Sequence, residues 1–242
     1  MAKFLRIAHR GASGSFPENT CLAVEKAIEA RADMIELDCQ LSSDGHVVIF
    51  HDEQLVRITG AGGIVNRTPL EQLKRLDAGG WRKAAFKGER IPTLEEVVAL
   101  IGGEAELCLD IKQYPGSPPG IELKLLFILS HYDYLDRTII SSFNYDCLRR
   151  VRELGPEARL GVIYGTGIEE NPFVIAAEIE AASLHVQKEL ASREFLQTGW
   201  ELGLDAFVWT VNELREMEDF ASLGVQGIMT DFPERFWRLE KR

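Results

Sequence analysis

Residues 34–41 read Met-Ile-Glu-Leu-Asp-Cys-Gln-Leu. Side chains alternate sides along a β-strand, so Ile35, Leu37, Cys39 and Leu41 share one face and Met34, Glu36, Asp38 and Gln40 the other. The first face is apolar and suits packing beneath helices. The second carries two carboxylates whose Cα atoms would stand about 7 Å apart. On an antiparallel edge such a face would simply meet water. In a closed parallel sheet it points inward, where a Glu and an Asp repel each other and lose hydration unless a cation joins them. The stretch therefore links a barrel architecture to a hard cation held by oxygen.

The rest of the chain supports that architecture. β-type runs recur at Phe4–Ala8, Met34–Gln40, Val47–Phe50, Glu106–Lys112, Thr138–Ser142, Leu160–Tyr164, Leu184–Gln187, Phe207–Val211 and Gly227–Thr230. Helical patterns lie between many of them, at Glu18–Arg31, Thr93–Ile101, Ile121–Ser130, Tyr145–Glu153 and Glu213–Leu223. Thr93 with Glu96 predicts a capping box, Asn212 is a candidate cap for the helix after it, and Pro17 suits a first helical turn. Strand–helix alternation over 242 residues, 45% of them hydrophobic, predicts one α/β domain spanning 1–242, a (β/α)8 TIM-type barrel. Nine strand-like runs exceed the eight a barrel uses. The surplus falls in Met34–Phe50, where Ser42-Ser43-Asp44-Gly45 is turn chemistry with no helix. Residues of about 53–92, rich in Gly, Arg and Lys with one helical patch at Leu70–Leu76, read as a small insertion after the third strand.

Other candidate residues sit at strand ends. Leu107, Leu109 and Ile111 form an apolar face, opposite Cys108, Asp110 and Lys112. Alone, Asp110 and Lys112 would be an ordinary ion pair. With Glu36 and Asp38, Asp110 becomes a third oxygen ligand and Lys112 a cation for a bound anion. His9 and His51 each follow an apolar run, at the strand end where barrel enzymes place their chemistry. Two imidazoles there make a general acid and a general base near neutral pH. His46, His131 and His185 lack such company and read as structural, although His185 is close enough to a strand to line a pocket. On spacing alone Glu18 and Asn19 are helix-start residues, Thr230-Asp231-Phe232-Pro233 is a closing turn, and Phe207 and Trp209 are core aromatics. Trp209 at a barrel mouth would instead pack against an alcohol moiety.

The formal charge of −11, with no run of Lys or Arg, argues against nucleic acid and anionic membranes as partners. An anionic substrate would need local positive charge from a metal or a few placed cations. Cys21, Cys39, Cys108 and Cys147 form no C-x-x-C pair and suit free thiols in a reducing compartment. The N-terminal MAKFLRIAHRG has too short an apolar stretch for a signal peptide, and no stretch approaches a transmembrane span. These features predict a cytoplasmic protein, with homo-oligomerisation left open.

His9-Arg10-Gly11, Pro17-Glu18-Asn19-Thr20, Glu36-Leu37-Asp38, Asp44-Gly45, His51-Asp52, Arg57 with Thr59, Ile91–Glu96, Trp209–Asn212 and Thr230–Pro233 follow one another in the order and spacing of a known family. Over nearly its whole length, most densely before Val98, the chain resembles the glycerophosphodiester phosphodiesterase family. The resemblance implies metal-dependent hydrolysis of a small glycerophosphodiester to glycerol 3-phosphate and an alcohol. It implies His9 and His51 as the catalytic pair, and Glu36, Asp38 and Asp110 as ligands of one divalent cation, Mg²⁺ or Ca²⁺. Arg10, Lys112, Glu18 and Trp209 are then on the substrate side, Arg10 and Lys112 near the phosphate and Glu18 as a supporting acid. The insertion matches the family's extra segment. Two departures stand out. The family's third ligand is usually Glu and here is Asp110, one methylene shorter, so the ion would sit deeper or keep another water. Arg31 stands where the family usually has Gly. Two other functions fit a related barrel: a phospholipase D-like lipid phosphodiesterase or cyclising lyase, which needs an apolar or basic rim, and a non-catalytic sensor of glycerophosphodiesters.

Overall fold

Nine strands form one sheet in the computed structural model, which describes residues 4–114 and 116–240. They are β1 (Leu5–His9), β2 (Met34–Leu41), β3 (Val47–Ile49), β4 (Glu106–Ile111), β5 (Thr138–Ser142), β6 (Arg159–Tyr164), β7 (Ser183–Gln187), β8 (Asp205–Trp209) and β9 (Gly227–Thr230). The order is β1-β9-β8-β7-β6-β5-β4-β2-β3, and an additional β1–β2 pairing closes the sheet. All ladders are parallel except β2–β3. The eight parallel strands therefore make the barrel, and β3 is the surplus run, the returning arm of a hairpin.

The helices are α1 (Cys21–Glu29), α2 (Val56–Thr59), α3 (Leu70–Leu73), α4 (Leu94–Ile101), α5 (Ile121–His131), α6 (Tyr145–Leu154), α7 (Pro172–Glu178), α8 (Arg193–Glu201), α9 (Leu214–Leu223) and α10 (Phe236–Glu240). Thr93 and Glu96 form the expected capping box at α4. Two expectations about helix starts are corrected. Thr20 caps α1, so Pro17, Glu18 and Asn19 precede the helix rather than begin it. Asn212 caps nothing: α9 starts after Glu213, and the Asn212 amide turns toward Asp231 instead. Arg31, just past α1, adopts φ 56°, a left-handed conformation that Gly reaches without a Cβ penalty.

The alternation of residues 34–41 takes physical form here. Ile35, Leu37, Cys39 and Leu41 join Leu107, Leu109 and Ile111 in the large apolar layer between barrel and helices. Inside the barrel, Ile7, Met34, Cys108, Ile139, Phe207 and Met229 make a second apolar cluster. It fills the lower part of the lumen, and the polar inward residues Glu36, Asp38 and Asp110 lie above it. Gly227 makes room for this cluster: a Cβ there would stand 2.6 Å from Phe207 and 2.8 Å from Ile7.

Strand β2 is eight residues long and is paired on one edge by two different strands. β1 covers its lower half, up to His9 opposite Glu36. β3 runs antiparallel along its upper half, and the Phe50 amide still bonds the Asp38 carbonyl at 2.9 Å. His51 is therefore not at the upper end of a barrel strand, as the sequence suggested. It is brought back down to the level of Asp38 by the hairpin.

From β3 to α4 the chain builds an annex around its own apolar cluster of Val48, Phe50, Leu55, Ile58, Val65, Leu73, Ala78 and Ile91. Phe86 of the annex meets Phe16 of the β1–α1 loop at 5.6 Å, and Arg82 donates to the Gly14 carbonyl. The four cysteines are unpaired thiols. Among the described residues no helix is long and apolar enough to cross a membrane. Residues 1–3 of the N-terminal stretch considered above lie outside the described residues.

Candidate active site

His9, Arg10, Glu36, Asp38, His51, Asp110 and Lys112 all line one cavity of about 240 Å³ at the barrel mouth. Ser141, Phe143, Ile163, His185, Trp209 and Met229 form its other wall. The site is thus charged on one side and largely apolar on the other.

Register sets the carboxylates. Asp38 and Asp110 are Cα partners across β2–β4, and Glu36 is two residues below on the same face. All three are buried, and one oxygen from each lies within 4.8 Å of the others. Burial, with Asp38 beside it, raises the Glu36 carboxyl. Burial also raises Asp110, against the pull of Lys112. Burial opposes ionisation of Asp38 too, but Lys112 and Arg10 outweigh it and hold Asp38 low. Lys112 Nζ stands 2.5 Å from Asp110 Oδ2 and 3.1 Å from Asp38 Oδ1. That still leaves Asp110 Oδ1 buried with no hydrogen-bond partner. A buried anionic oxygen without a partner is costly. Three clustered carboxylates and an orphaned oxygen fit a hard divalent cation with oxygen ligands.

The two histidines of the charged wall, His9 and His51, are held through the same nitrogen. His9 Nδ1 lies 2.6 Å from Asp231 Oδ1, and His51 Nδ1 lies 2.7 Å from Asp52 Oδ1. With Nδ1 engaged in both rings, Nε2 is the nitrogen left for chemistry. Burial works against protonation of His9, but the hydrogen bond to Asp231 and the charge of Glu36 overcome it and raise its pKa. Asp231 is in turn pushed down to about 2, burial being outweighed by His9, Asn212 and Ser13. Ser13 Oγ donates to Asp231 Oδ1 at 3.1 Å and Asn212 Nδ2 to Asp231 Oδ2 at 2.7 Å. Sequence reasoning treated Asp231 as part of a closing turn and Asn212 as a cap. The signal was present in Thr230-Asp231, but only barrel closure shows that residue 231 meets residue 9.

Arg10 follows β1 and has φ 54°, a strained conformation for a non-glycine residue. Its amide donates to Glu36 Oε2 at 2.9 Å, and its side chain reaches Glu18 at 2.8 Å and Asp38 at 3.2 Å. Gly11 lets this loop lie on α1: its φ is 76°, and a Cβ would come within 2.7 Å of the Ala23 backbone. Glu18 does not line the cavity but stands behind Arg10, bonded also to Arg57. Asn19 pins the strand, its amide to Asp38 Oδ2 at 2.8 Å and its carbonyl accepting from Asp38 N at 3.2 Å. Trp209 spends its indole N–H on the His185 carbonyl at 3.0 Å, so it offers the cavity only an apolar ring. Phe143, not singled out in the sequence, meets Trp209 edge-on at 5.9 Å and lies under Lys112 at 5.4 Å. His185 lines the apolar wall and is buried beside Ser183 at 2.9 Å; burial drives its pKa down to about 3, so it stays neutral.

Residues 9–235 match the family model described as the glycerophosphoryl diester phosphodiesterase family. A glycerophosphodiester phosphodiesterase of Caldanaerobacter subterraneus subsp. tengcongensis is 43% identical over 241 residues, 99% of each chain. Among solved structures, an Oleispira antarctica phosphodiesterase in complex with the product sn-glycerol-3-phosphate superposes with a TM-score of 0.90, at 28% identity over 100% of this chain and 98% of that one. A glycerophosphodiester phosphodiesterase from Agrobacterium tumefaciens gives 0.85, at 27% identity over 98% of this chain and 99% of that one.

Proposed function

The chain belongs to the glycerophosphoryl diester phosphodiesterase family, and from that membership we propose how its own residues carry out the reaction. It is an enzyme that hydrolyses glycerophosphodiesters to glycerol 3-phosphate and an alcohol. Glu36, Asp38 and Asp110 would hold one divalent cation, Mg²⁺ or Ca²⁺. When bound, such an ion supplies Lewis-acid polarisation of the phosphoryl group and offsets its negative charge. The close approach of three carboxylate oxygens, within 4.8 Å of one another, and the partnerless Asp110 Oδ1 support a cation being needed before a phosphate can enter.

Arg10 and Lys112 bind the non-bridging phosphate oxygens, Arg10 with a planar fork and Lys112 as a point charge. Glu18 keeps the Arg10 guanidinium in place. One of the histidines accepts the proton of the attacking oxygen through Nε2. The other donates a proton to the departing alcohol oxygen as its bond to phosphorus breaks. The attacking oxygen is that of water, or of the glycerol 2-hydroxyl, which gives a cyclic phosphate that water then opens. Phe143 and Trp209 receive the carbon skeleton of the substrate. We read residues 53–92 as an insertion within the single domain, and the four unpaired thiols favour a reducing, cytoplasmic setting.

The observation that carries this reading is the pair of Nδ1-anchored histidines in one cavity with the carboxylate triad. The test is glycerol 3-phosphate release from glycerophosphocholine and glycerophosphoethanolamine with Mg²⁺, Ca²⁺ or EDTA. Release with a divalent ion and none with EDTA is expected. A folded protein that releases nothing with either ion, but cleaves a micellar phospholipid, would move the reading to a lipid diester. Binding without cleavage of any diester would make it a sensor.

A further inference from the structure

Arg57 lies in the annex on α2, outside the cavity lining, yet it bonds the carboxylates that stand behind two residues of the charged wall, His51 and Arg10. Its Nε and Nη2 donate to the two oxygens of Asp52 at 2.5 and 2.9 Å. Its Nη1 and Nη2 donate to the two oxygens of Glu18 at 3.0 and 2.7 Å. Asp52 holds His51 Nδ1 at 2.7 Å, and Glu18 holds Arg10 Nη1 at 2.8 Å. Arg10 continues the chain to Asp38 at 3.2 Å. A single guanidinium thus fixes, through one carboxylate each, the imidazole that moves a proton and the arginine that binds phosphate. Two bidentate contacts in different directions need the flat guanidinium fork, and an ammonium cannot span both. Trp81, at 5.9 Å from the guanidinium carbon, packs over it from the annex.

We infer that Arg57 is a positioning residue that sets His51 and Arg10 relative to each other, and that this is what the annex contributes to catalysis. The inference rests on the proposed roles of His51 and Arg10. It is not a general fold-holding role: the α2 backbone is closed by its own bonds, Thr59 N to the Leu55 carbonyl and Leu55 N to the Gly63 carbonyl. The Arg57 side chain is 43% exposed, whereas those of Glu18 and Asp52 are 12% and 22% exposed.

The experiment compares Arg57→Ala, Arg57→Lys, Asp52→Asn and the Asp52→Asn/Arg57→Ala double variant, in the metal-loaded enzyme, for kcat, KM and the imidazole ¹⁵N and Nδ1-proton NMR signals. Arg57→Ala should lower kcat about 10–100-fold, the usual cost of losing a residue that orients a reacting group. It should also raise KM, because Arg10 loses its support. Guanidinium ion, added far below denaturing concentrations, should restore part of that kcat in Arg57→Ala and none in Arg57→Lys, whose side chain fills the space. In the Asp52→Asn background, Arg57→Ala should cost little further kcat, since its route to His51 is already cut. The His51 Nδ1 signal should shift in Arg57→Ala while that of His9 stays. Unchanged kcat and KM in Arg57→Ala, or near-wild-type turnover by Arg57→Lys, overturns the inference, and the lysine variant decides it if the alanine variant does not fold. A wild-type enzyme without turnover would sink the functional reading instead. The imidazole spectra would still judge Arg57, and an unmoved His51 signal would count against it.

Discussion

His9 and His51 arrive on the same edge of β2 from opposite directions and are held by different kinds of groups. His9 ends a barrel strand, and its carboxylate, Asp231, follows the last barrel strand. Around Asp231 stand neutral groups, Ser13 and Asn212, with Thr230 in turn bonded to Asn212 at 3.0 Å. His51 comes down a hairpin from outside the barrel, and its carboxylate, Asp52, is clamped by the charged Arg57. One side is therefore oriented by fixed dipoles within a closed sheet. The other is oriented by an ionic relay belonging to an annex with its own core. Neutral partners leave the Asp231 charge to act on His9, whereas Arg57 shares the charge of Asp52. A barrel mouth can thus receive a second imidazole from outside its staves, held by the annex's own support.

That contrast can be broken or sharpened at several levels. The largest effect is expected inside the barrel. Phe207 is fully buried, and Phe207→Ala should cost about 3–5 kcal/mol of global stability, read by chemical denaturation. Leu55, 1% exposed in the annex cluster, should behave differently. In Leu55→Ala, amide exchange should rise across 53–92 while the barrel strands keep wild-type protection. Equal loss of protection in both regions would mean that annex and barrel are one cooperative unit. A smaller effect, about 10–100-fold in kcat, is expected for Asp231→Ala and for Asp52→Ala, as for other residues that orient a reacting group. The two should part in KM. Asp52→Ala frees one side of Arg57 and so disturbs Glu18 and Arg10, raising KM, whereas Asp231→Ala should leave KM near wild type. The same KM in both variants would argue against separate supports.

The barrel was legible because its signals are local. Period-two alternation in Met34–Leu41 and Leu107–Ile111 separated the helix-facing side from the lumen, and the structure divides these residues the same way. The turn chemistry of Ser42–Gly45 marked the surplus strand. The convergence of Glu36, Asp38 and Asp110 followed from the alternation, with the two strands adjacent in register. What stayed hidden depends on closure or on chain reversal. Asp231 and His9 are 222 residues apart, and only the β1–β9 ladder brings them together. Asn212 had the right type and place for a helix cap, but its amide is used on Asp231 and Thr230 instead. His51 looked like the end of a barrel strand because a strand's direction cannot be read from its composition. Phe143 follows β5 as a lone aromatic, with no pattern to set it apart. Helices α7 and α8 were not singled out either; α7 spans only seven residues.

The most direct test of the central claim, that His9 and His51 divide proton removal from proton donation, is a leaving-group comparison. His9→Ala and His51→Ala would each be assayed on glycerophosphocholine and on the p-nitrophenyl ester of glycerol 3-phosphate, whose leaving group departs without a proton. On the choline ester both variants should lose about 10²–10⁴-fold in rate. On the nitrophenyl ester one of them, and only one, should recover most of that loss, because its missing imidazole was the proton donor. Recovery by both variants, or by neither, would contradict the division of roles between the two histidines.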